Sequence, residues 1–316
     1  MSSFLQFSFS CQCSSWTPPT SSKCVSSLIS FSSNSSLMGY GYPARSTIFT
    51  PSSLQIRAAP CFCSPVPARE FCARASLSSK VAAGVKEVLP PSLTSTSDPP
   101  PVFDGTTRLY IAYICPFAQR VWITRNCKGL QDQIKLVPID LQDRPAWFKE
   151  KINPANKVPC LEHNNEIKVE SLDLIKYIDS NFEGPSLFPG DSDKREFAEE
   201  LFLYTDSFTN SVFATFRGEE EDKAAAAFDE IEKALSKFND GPFFLGQFSL
   251  VDIAYAPFIE RFSPYLQEVM NTDITEGRPK LASWIKEMEK NENYIQTRSD
   301  LKGMVERYKK RFGVSG

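Results

Sequence analysis

The apolar run Leu109-Tyr110-Ile111-Ala112-Tyr113-Ile114 stops at Cys115-Pro116, and that junction limits the fold more than any other feature of the chain. A short apolar run bounded by a turn signal reads as a buried strand. Proline is favoured at the first helical position, where its missing N–H costs nothing, so Pro116 begins a helix and Cys115 becomes its N-cap. A buried strand that feeds straight into a helix opens a βα unit, whose next strand returns parallel to the first.

Periodicity supplies the rest of that unit. Strand 108–114 is followed by helix 116–127, strand 134–139, a short helix 145–151, strands 158–163 and 166–169, and helix 171–181. This is βαβ then ββα, closed by a hairpin at Asn164-Asn165, and it predicts an α/β thioredoxin-like domain over 106–183. Gly184-Pro185-Ser186-Leu187-Phe188-Pro189-Gly190 breaks all periodicity and predicts a linker over 184–191.

From 192 to 316 the pattern is helical, giving an all-α C-terminal domain. Phe197, Leu201, Tyr204, Phe208 and Val212 fall on one helix face, which reads as core rather than as a cofactor box. The Ala-, Glu- and Lys-rich stretch from Glu219 to Phe238 predicts another helix with a solvated charged face. Ser249-Leu250-Val251-Asp252 is a capping box with Phe248 and Ile253 as a hydrophobic staple, so Asp252 is assigned to folding and not to catalysis.

Residues 1–80 have a different character. They hold one acidic residue, Glu70, against six basic ones, and are dense in Ser, Pro and Thr. That composition reads as an organellar transit peptide, and its Ser-rich, acid-poor bias favours plastid import and the chloroplast stroma. Processing is expected between about Arg69 and Lys80. Residues 81–105, rich in Pro, Ser and Thr from Val88 to Phe103, are expected to form an extended arm. Without the leader, 35 basic and 38 acidic residues become 29 and 37, a net charge of −8. An acidic body argues against a nucleic-acid partner. No apolar run approaches the length needed to span a bilayer, so a membrane is not expected as a partner.

Of the nine cysteines, only Cys115, Cys127 and Cys160 lie beyond the leader. Cys115 stands where the free N–H groups of Phe117 and Ala118 and the helix dipole favour thiolate, which predicts a pKa of roughly 3.5 to 7.5. A Cys-Pro pair alone also fits a small buried hydrophobe. Cys127 and Cys160 read as packed structural thiols. His163 is the only histidine, which argues against a His-paired nucleophile or a His-rich metal site.

Three later features build a substrate site around Cys115. Val158-Pro159 opens a strand, where a cis peptide leaves the Val158 backbone to face a bound peptide; an ordinary edge-strand proline is the competing reading. Glu170-Ser171 stands at a strand-to-helix junction, where free N–H groups and the Ser171 hydroxyl suit a carboxylate and Glu170 an ammonium; plain N-capping by Ser171 is the alternative. Arg144, just before Pro145, is able to pair with a carboxylate at the far end of an extended tripeptide, or to stand on the surface without a partner.

In this order, with Cys-Pro-Phe-Ala-Gln-Arg over Cys115 to Arg120, the chain resembles a plant glutathione transferase, most closely the Lambda class. The resemblance runs from about Val88 to the C-terminus and does not cover the leader. It implies the glutathione transferase fold, with Cys115 catalytic, Val158 and Pro159 clamping the glutathione backbone, Glu170 and Ser171 at the γ-glutamyl group, Arg144 near the glycyl carboxylate and Lys157 beside it. It implies glutathione as cosubstrate, no metal, a monomer, and deglutathionylation of small molecules such as quinone-type or flavonoid adducts with weak conjugating activity.

A cysteine at this place favours a mixed disulfide with glutathione over conjugation. Ala118 stands where a dithiol redox protein has its second Cys, so a second glutathione must resolve the intermediate. Dehydroascorbate reduction is the alternative enzyme reading, and a flavonoid-type ligand carrier is the alternative outside catalysis.

Overall fold

The computed structural model describes residues 87–219 and 222–313, all inside one compact unit spanning 76–316. The expected leader 1–80, residues 81–86 of the expected arm, and residues 220–221 and 314–316 lie outside the described residues.

Strand β1 (Thr107–Ile111) is central, and Leu109, Tyr110 and Ile111 are fully buried. Strand β2 (Ile134–Pro138) pairs with it in parallel, β3 (Cys160–His163) antiparallel on its other side, and β4 (Glu166–Lys168) antiparallel to β3, giving the order β2-β1-β3-β4. All four strands are shorter than the apolar runs suggest, β1 and β3 the most. β1 stops at Ile111 because the chain turns there, the Cys115 N–H donating to the Ala112 carbonyl at 2.9 Å. β3 begins at Cys160 because Pro159 has no N–H for the ladder. Asn164 and Asn165 both take positive φ, the conformation a two-residue hairpin demands and Asn tolerates.

Helices α1 (Pro116–Cys127) and α2 (Ser171–Asn181) occupy the spans that periodicity predicts. The short helix expected over 145–151 is largely a single π-helical turn, Phe148–Ile152, closed by the Asn153 N–H on the Phe148 carbonyl at 2.9 Å. Beyond the linker come α3 (Ser192–Phe216), α4 (Lys223–Leu235), α5 (Leu250–Met270), α6 (Pro279–Met288), α7 (Glu292–Ile295) and α8 (Leu301–Phe312). The helix read from Glu219 to Phe238 is therefore shorter at both ends. The α3 stripe is core: Phe197, Leu201, Phe208 and Val212 are buried, Tyr204 partly so.

The capping box forms at the start of α5 as its spacing predicts. Asp252 accepts from the Ser249 N–H and hydroxyl, both at 2.9 Å, and from Trp284 Nε1 at 2.8 Å, joining α5 to α6. α5 also packs on α1, so the thiol-bearing helix is enclosed between sheet and helical region.

The described part of the arm is anchored. The Leu93 N–H donates to the Pro138 carbonyl at 2.8 Å and its carbonyl accepts from Asp140 at 2.9 Å, covering the outer edge of β2. Trp147 Nε1 holds the Ser97 carbonyl at 2.9 Å, Tyr113 the Pro90 carbonyl at 2.6 Å, and buried Arg125 forks onto Glu87 at 2.7 and 2.8 Å.

Candidate active site

Cys115 is the N-cap of α1, in extended conformation with Pro116 next, as its sequence context predicts. Its Sγ lies 3.9 Å from the Val158 carbonyl, and the Val158-Pro159 peptide is cis. Strand end and helix start therefore meet at the sulfur.

The ionisation of that sulfur departs from expectation. The side chain is half-buried, and burial pushes the thiol above its ordinary value. The Ala118 and Phe117 N–H groups pull the other way, then the Arg261 and Arg120 guanidiniums, and together they do not overcome desolvation. A preformed low-pKa thiolate, read from the N-cap position alone, is thus corrected. The N-terminal turn supplies favourable dipoles, but the tertiary packing that carries the opposing term is invisible in the local sequence.

Ser171 begins α2 and is buried, with its hydroxyl accepting from Arg120 Nη1 at 3.1 Å. It does not cap the helix, and Glu170, in the preceding position at φ 68°, makes no side-chain cap either. Among the described residues the Glu170 carboxylate and the Lys157 ammonium are exposed and make no hydrogen bond. Arg144 is partly buried and donates to the Leu141 carbonyl at 3.2 Å and to the Asn156 carbonyl, which fastens it to the loop before Lys157. Burial lowers its pKa while the Cys115 charge raises it, so Arg144 lies within electrostatic reach of the thiol. The structure brings Cys115 and Val158 into contact and ties Ser171 to α1. Lys157 and Glu170 are held by backbone position alone.

The two other thiols are packed. Cys160 is buried against Asn153 and the Lys157 carbonyl, Cys127 is enclosed near the end of α1, and burial pushes both up to about 12. His163 is held by Thr107 at 2.9 Å and rests against the Phe182 ring. No group of three or more His, Cys, Asp or Glu among the described residues is placed to hold a metal ion. No helix among them is long and apolar enough to cross a membrane.

Residues to which the sequence reading gave no role complete the surroundings. Arg120 is buried and donates to the Ala254 carbonyl at 2.8 Å, with its guanidinium 4.6 Å from the Phe258 ring centroid. Burial lowers its pKa to about 10. Gln119 donates to Glu260 at 3.0 Å and to Thr297 at 3.2 Å, and accepts from Arg261 at 2.5 Å. One signal pointed there: Glu260-Arg261 interrupts the apolar stretch Ala254 to Phe262, and a charged pair in such a run calls for buried polar partners. An aromatic cluster of Phe213, Phe216, Phe262, Tyr265, Tyr308 and Phe312 joins α3, α5 and α8. Tyr308 feels the Cys115 charge, so this cluster lies within electrostatic reach of the thiol.

Residues 109–186 match the family model described as glutathione S-transferase, N-terminal domain, and residues 214–287 the corresponding C-terminal domain. The chain is 60% identical over 247 residues to glutathione S-transferase L2, chloroplastic, of Arabidopsis thaliana, covering 78% of this chain and 84% of that one. It is 64% identical over 219 residues to glutathione S-transferase L1 of the same plant, covering 69% and 92%. Among solved structures it is similar to glutathione transferase Omega 3C from Trametes versicolor, with a TM-score of 0.57 and 26% identity over 66% of this chain and 93% of that one.

Proposed function

The chain belongs to the Lambda class of the glutathione S-transferase family, and from that premise we propose that it is a thiol transferase that removes glutathione from small-molecule adducts or mixed disulfides. Membership makes glutathione its cosubstrate and the protein a glutathione-dependent transferase. The finer reading rests on one observation: the residue at the start of α1, beside the Val158 carbonyl, is a thiol and not a hydroxyl.

A hydroxyl there is limited to hydrogen-bonding the glutathione sulfur, whereas a thiolate attacks it. In the proposed cycle the Cys115 thiolate attacks the glutathionyl sulfur of the adduct, and the bond from that sulfur to the acceptor breaks. The electron pair leaves on the acceptor, which takes up a proton and departs reduced. Cys115 is left joined to glutathione by a disulfide. A free glutathione thiolate then attacks the glutathionyl sulfur of this disulfide, releasing oxidised glutathione and the Cys115 thiolate. Buried Ala118 offers no second thiol one turn along α1, which supports resolution by glutathione. The raised pKa of Cys115 lowers the thiolate fraction but makes each thiolate a stronger nucleophile, so part of the loss is recovered.

Within this reading Val158 and Pro159 clamp the glutathione backbone, Ser171 and Glu170 hold its γ-glutamyl end, and Arg144 with Lys157 faces the glycyl carboxylate. The glutathione-binding domain spans 106–183 and the helical domain 192–316, with 184–191 as linker. The aromatic cluster around Tyr308 suits a planar aromatic acceptor. The leader composition, with the chloroplastic name of the L2 relative, supports removal of residues 1–80 and residence in the plastid stroma.

The test exposes the full chain to oxidised glutathione and reads the tryptic peptide Leu109–Arg120 by mass spectrometry; that peptide contains Cys115 as its only cysteine. One glutathione, removed by reduced glutathione and absent after Cys115→Ser, is the expected result. An unmodified peptide in the wild type sinks the thiol-transfer cycle. Faster turnover of dehydroascorbate than of a glutathionylated quinone reassigns the acceptor.

A further inference from the structure

We propose that Arg261 of α5 is the positioning residue for the reactive thiol, reaching from the helical region to grip the strand-to-helix junction on both sides of Cys115 and to set a positive charge beside its thiolate. The inference rests on Cys115 being the nucleophile.

Arg261 is 1% exposed and stands 3.9 Å from the buried Glu260 carboxylate. Nη2 reaches the Ile114 carbonyl at 3.4 Å, the residue before Cys115, and Ser299 Oγ at 2.8 Å. Nη1 donates to Gln119 Oε1 at 2.5 Å, one turn after Cys115, and to the Pro257 carbonyl at 2.6 Å. Ser299 in turn donates to the Tyr113 carbonyl at 3.0 Å, so the turn before the thiol is held a second time. Nε makes no hydrogen bond, although it is buried.

A buried guanidinium is costly unless an anion compensates it. The nearest carboxylate, Glu260, stands 3.9 Å away and is already claimed by Gln119 Nε2 at 3.0 Å and the Ser299 N–H at 3.2 Å. These donors are neutral, so Glu260 remains the counter-charge of Arg261, while the guanidinium spends its own N–H groups on the two sides of the Cys115 junction. Its positive charge favours the ionised form of Cys115.

The other charged or titratable neighbours do not duplicate this role. Arg120, on α1 itself, is committed to Ser171 and to the Ala254 carbonyl. Arg144 is fastened to the Leu141 and Asn156 carbonyls. Tyr308 of α8 is held neutral by burial. The electrostatics agree in sign: burial raises the Cys115 thiol most, and of the two guanidiniums that oppose it Arg261 pulls harder than Arg120.

The test is the pH profile of iodoacetamide alkylation of Cys115 in the full chain, read on the peptide Leu109–Arg120. Arg261→Gln should move the midpoint up by about one unit and slow alkylation at pH 7.5 about tenfold, with rates converging at high pH. Arg261→Lys, which keeps the charge, should recover most of the rate. An unchanged midpoint in folded Arg261→Gln overturns the proposal. Should that variant not fold, the Arg261 Nε resonance of the ¹⁵N-arginine-labelled wild type is followed instead. A shift with the Cys115 midpoint that vanishes in Cys115→Ser supports the coupling, and a flat resonance overturns it. Failure here with the peptide still accepting glutathione leaves the thiol-transfer reading intact, whereas a coupled titration without any glutathione adduct does the reverse.

Discussion

The Arg120 guanidinium donates to the Ser171 hydroxyl at 3.1 Å, so one buried side chain links the helix that carries the thiol to the helix start proposed for the γ-glutamyl group. The same guanidinium holds the Ala254 carbonyl in α5 and faces the rings of Phe117 and Phe258. It has no carboxylate partner within salt-bridge distance among the described residues. Its hydrogen bonds and ring contacts therefore stabilise a charge whose burial is unfavourable.

Replacing Arg120 separates these terms. Arg120→Met keeps most of the volume and removes the desolvated charge, and should cost no more than about 2 kcal/mol of stability. Arg120→Ala adds a cavity and should cost about 3–5 kcal/mol. Both free the Ser171 hydroxyl and should weaken glutathione binding, measured by titration calorimetry alongside thermal melting. Unchanged affinity in folded Arg120→Met would show that Ser171 needs no support from α1.

Thiol reactivity should climb with pH. Only the thiolate attacks, and burial raises the Cys115 pKa above its ordinary value, so the thiolate fraction is small at neutrality and grows through the alkaline range. The rate of glutathione-adduct formation on Cys115 should rise from pH 6 to 9 without levelling off below about 8. A plateau already reached by pH 7 would mean that the N-terminal turn of α1 dominates after all.

What could be read from the sequence divides along the range of the interactions. The junction at Cys115-Pro116, the Asn164-Asn165 hairpin and the Ser249 to Asp252 box are local chemistry, and each forms where its residues indicate. The ionisation of Cys115 is not local, since α5 contributes Arg261 and α8 contributes Tyr308 to its surroundings. The roles of Gln119 and Arg120 escaped for the same reason: their partners Glu260, Thr297 and Ala254 are more than a hundred residues away. Pattern reading likewise had no means of showing that the arm is anchored, because Leu93 and Ser97 are held by β2 and Trp147.

Breaking the arm's first anchor should destabilise the sheet. Arg125 is fully buried and Glu87 forks onto it at 2.7 and 2.8 Å, while the carboxylate side chain stays a quarter exposed. Solvent screening trims the pair below a fully buried one, so Glu87→Ala should cost about 2 kcal/mol. Urea denaturation of the full chain measures it. Glu87→Asp, too short to keep both bonds, should fall between the two. No change in midpoint would mean that the Ile134 and Gln131 carbonyls satisfy Arg125 unaided.

Asp252 tests whether a carboxylate fully enclosed by donors is structural. It accepts from Ser249, from the Phe244 N–H at 3.3 Å and from Trp284, yet burial still pushes its carboxyl up to about 6. Asp252→Ala leaves Trp284 Nε1 and the Phe244 N–H without their acceptor, and should cost about 3 kcal/mol or more at neutral pH. The per-molecule reactivity of Cys115 in the folded variant should not change. The pH dependence has a definite sign. A carboxyl raised in the folded state binds its proton more tightly there than in the unfolded chain, whose value is near 3.9. The stability it confers is therefore complete below about pH 4, declines as pH rises to about 6, and is flat above. The stability gap between wild type and Asp252→Ala should narrow across that window, measured by denaturation at each pH. A gap that widens instead would mean that the donors outweigh burial and hold Asp252 ionised throughout.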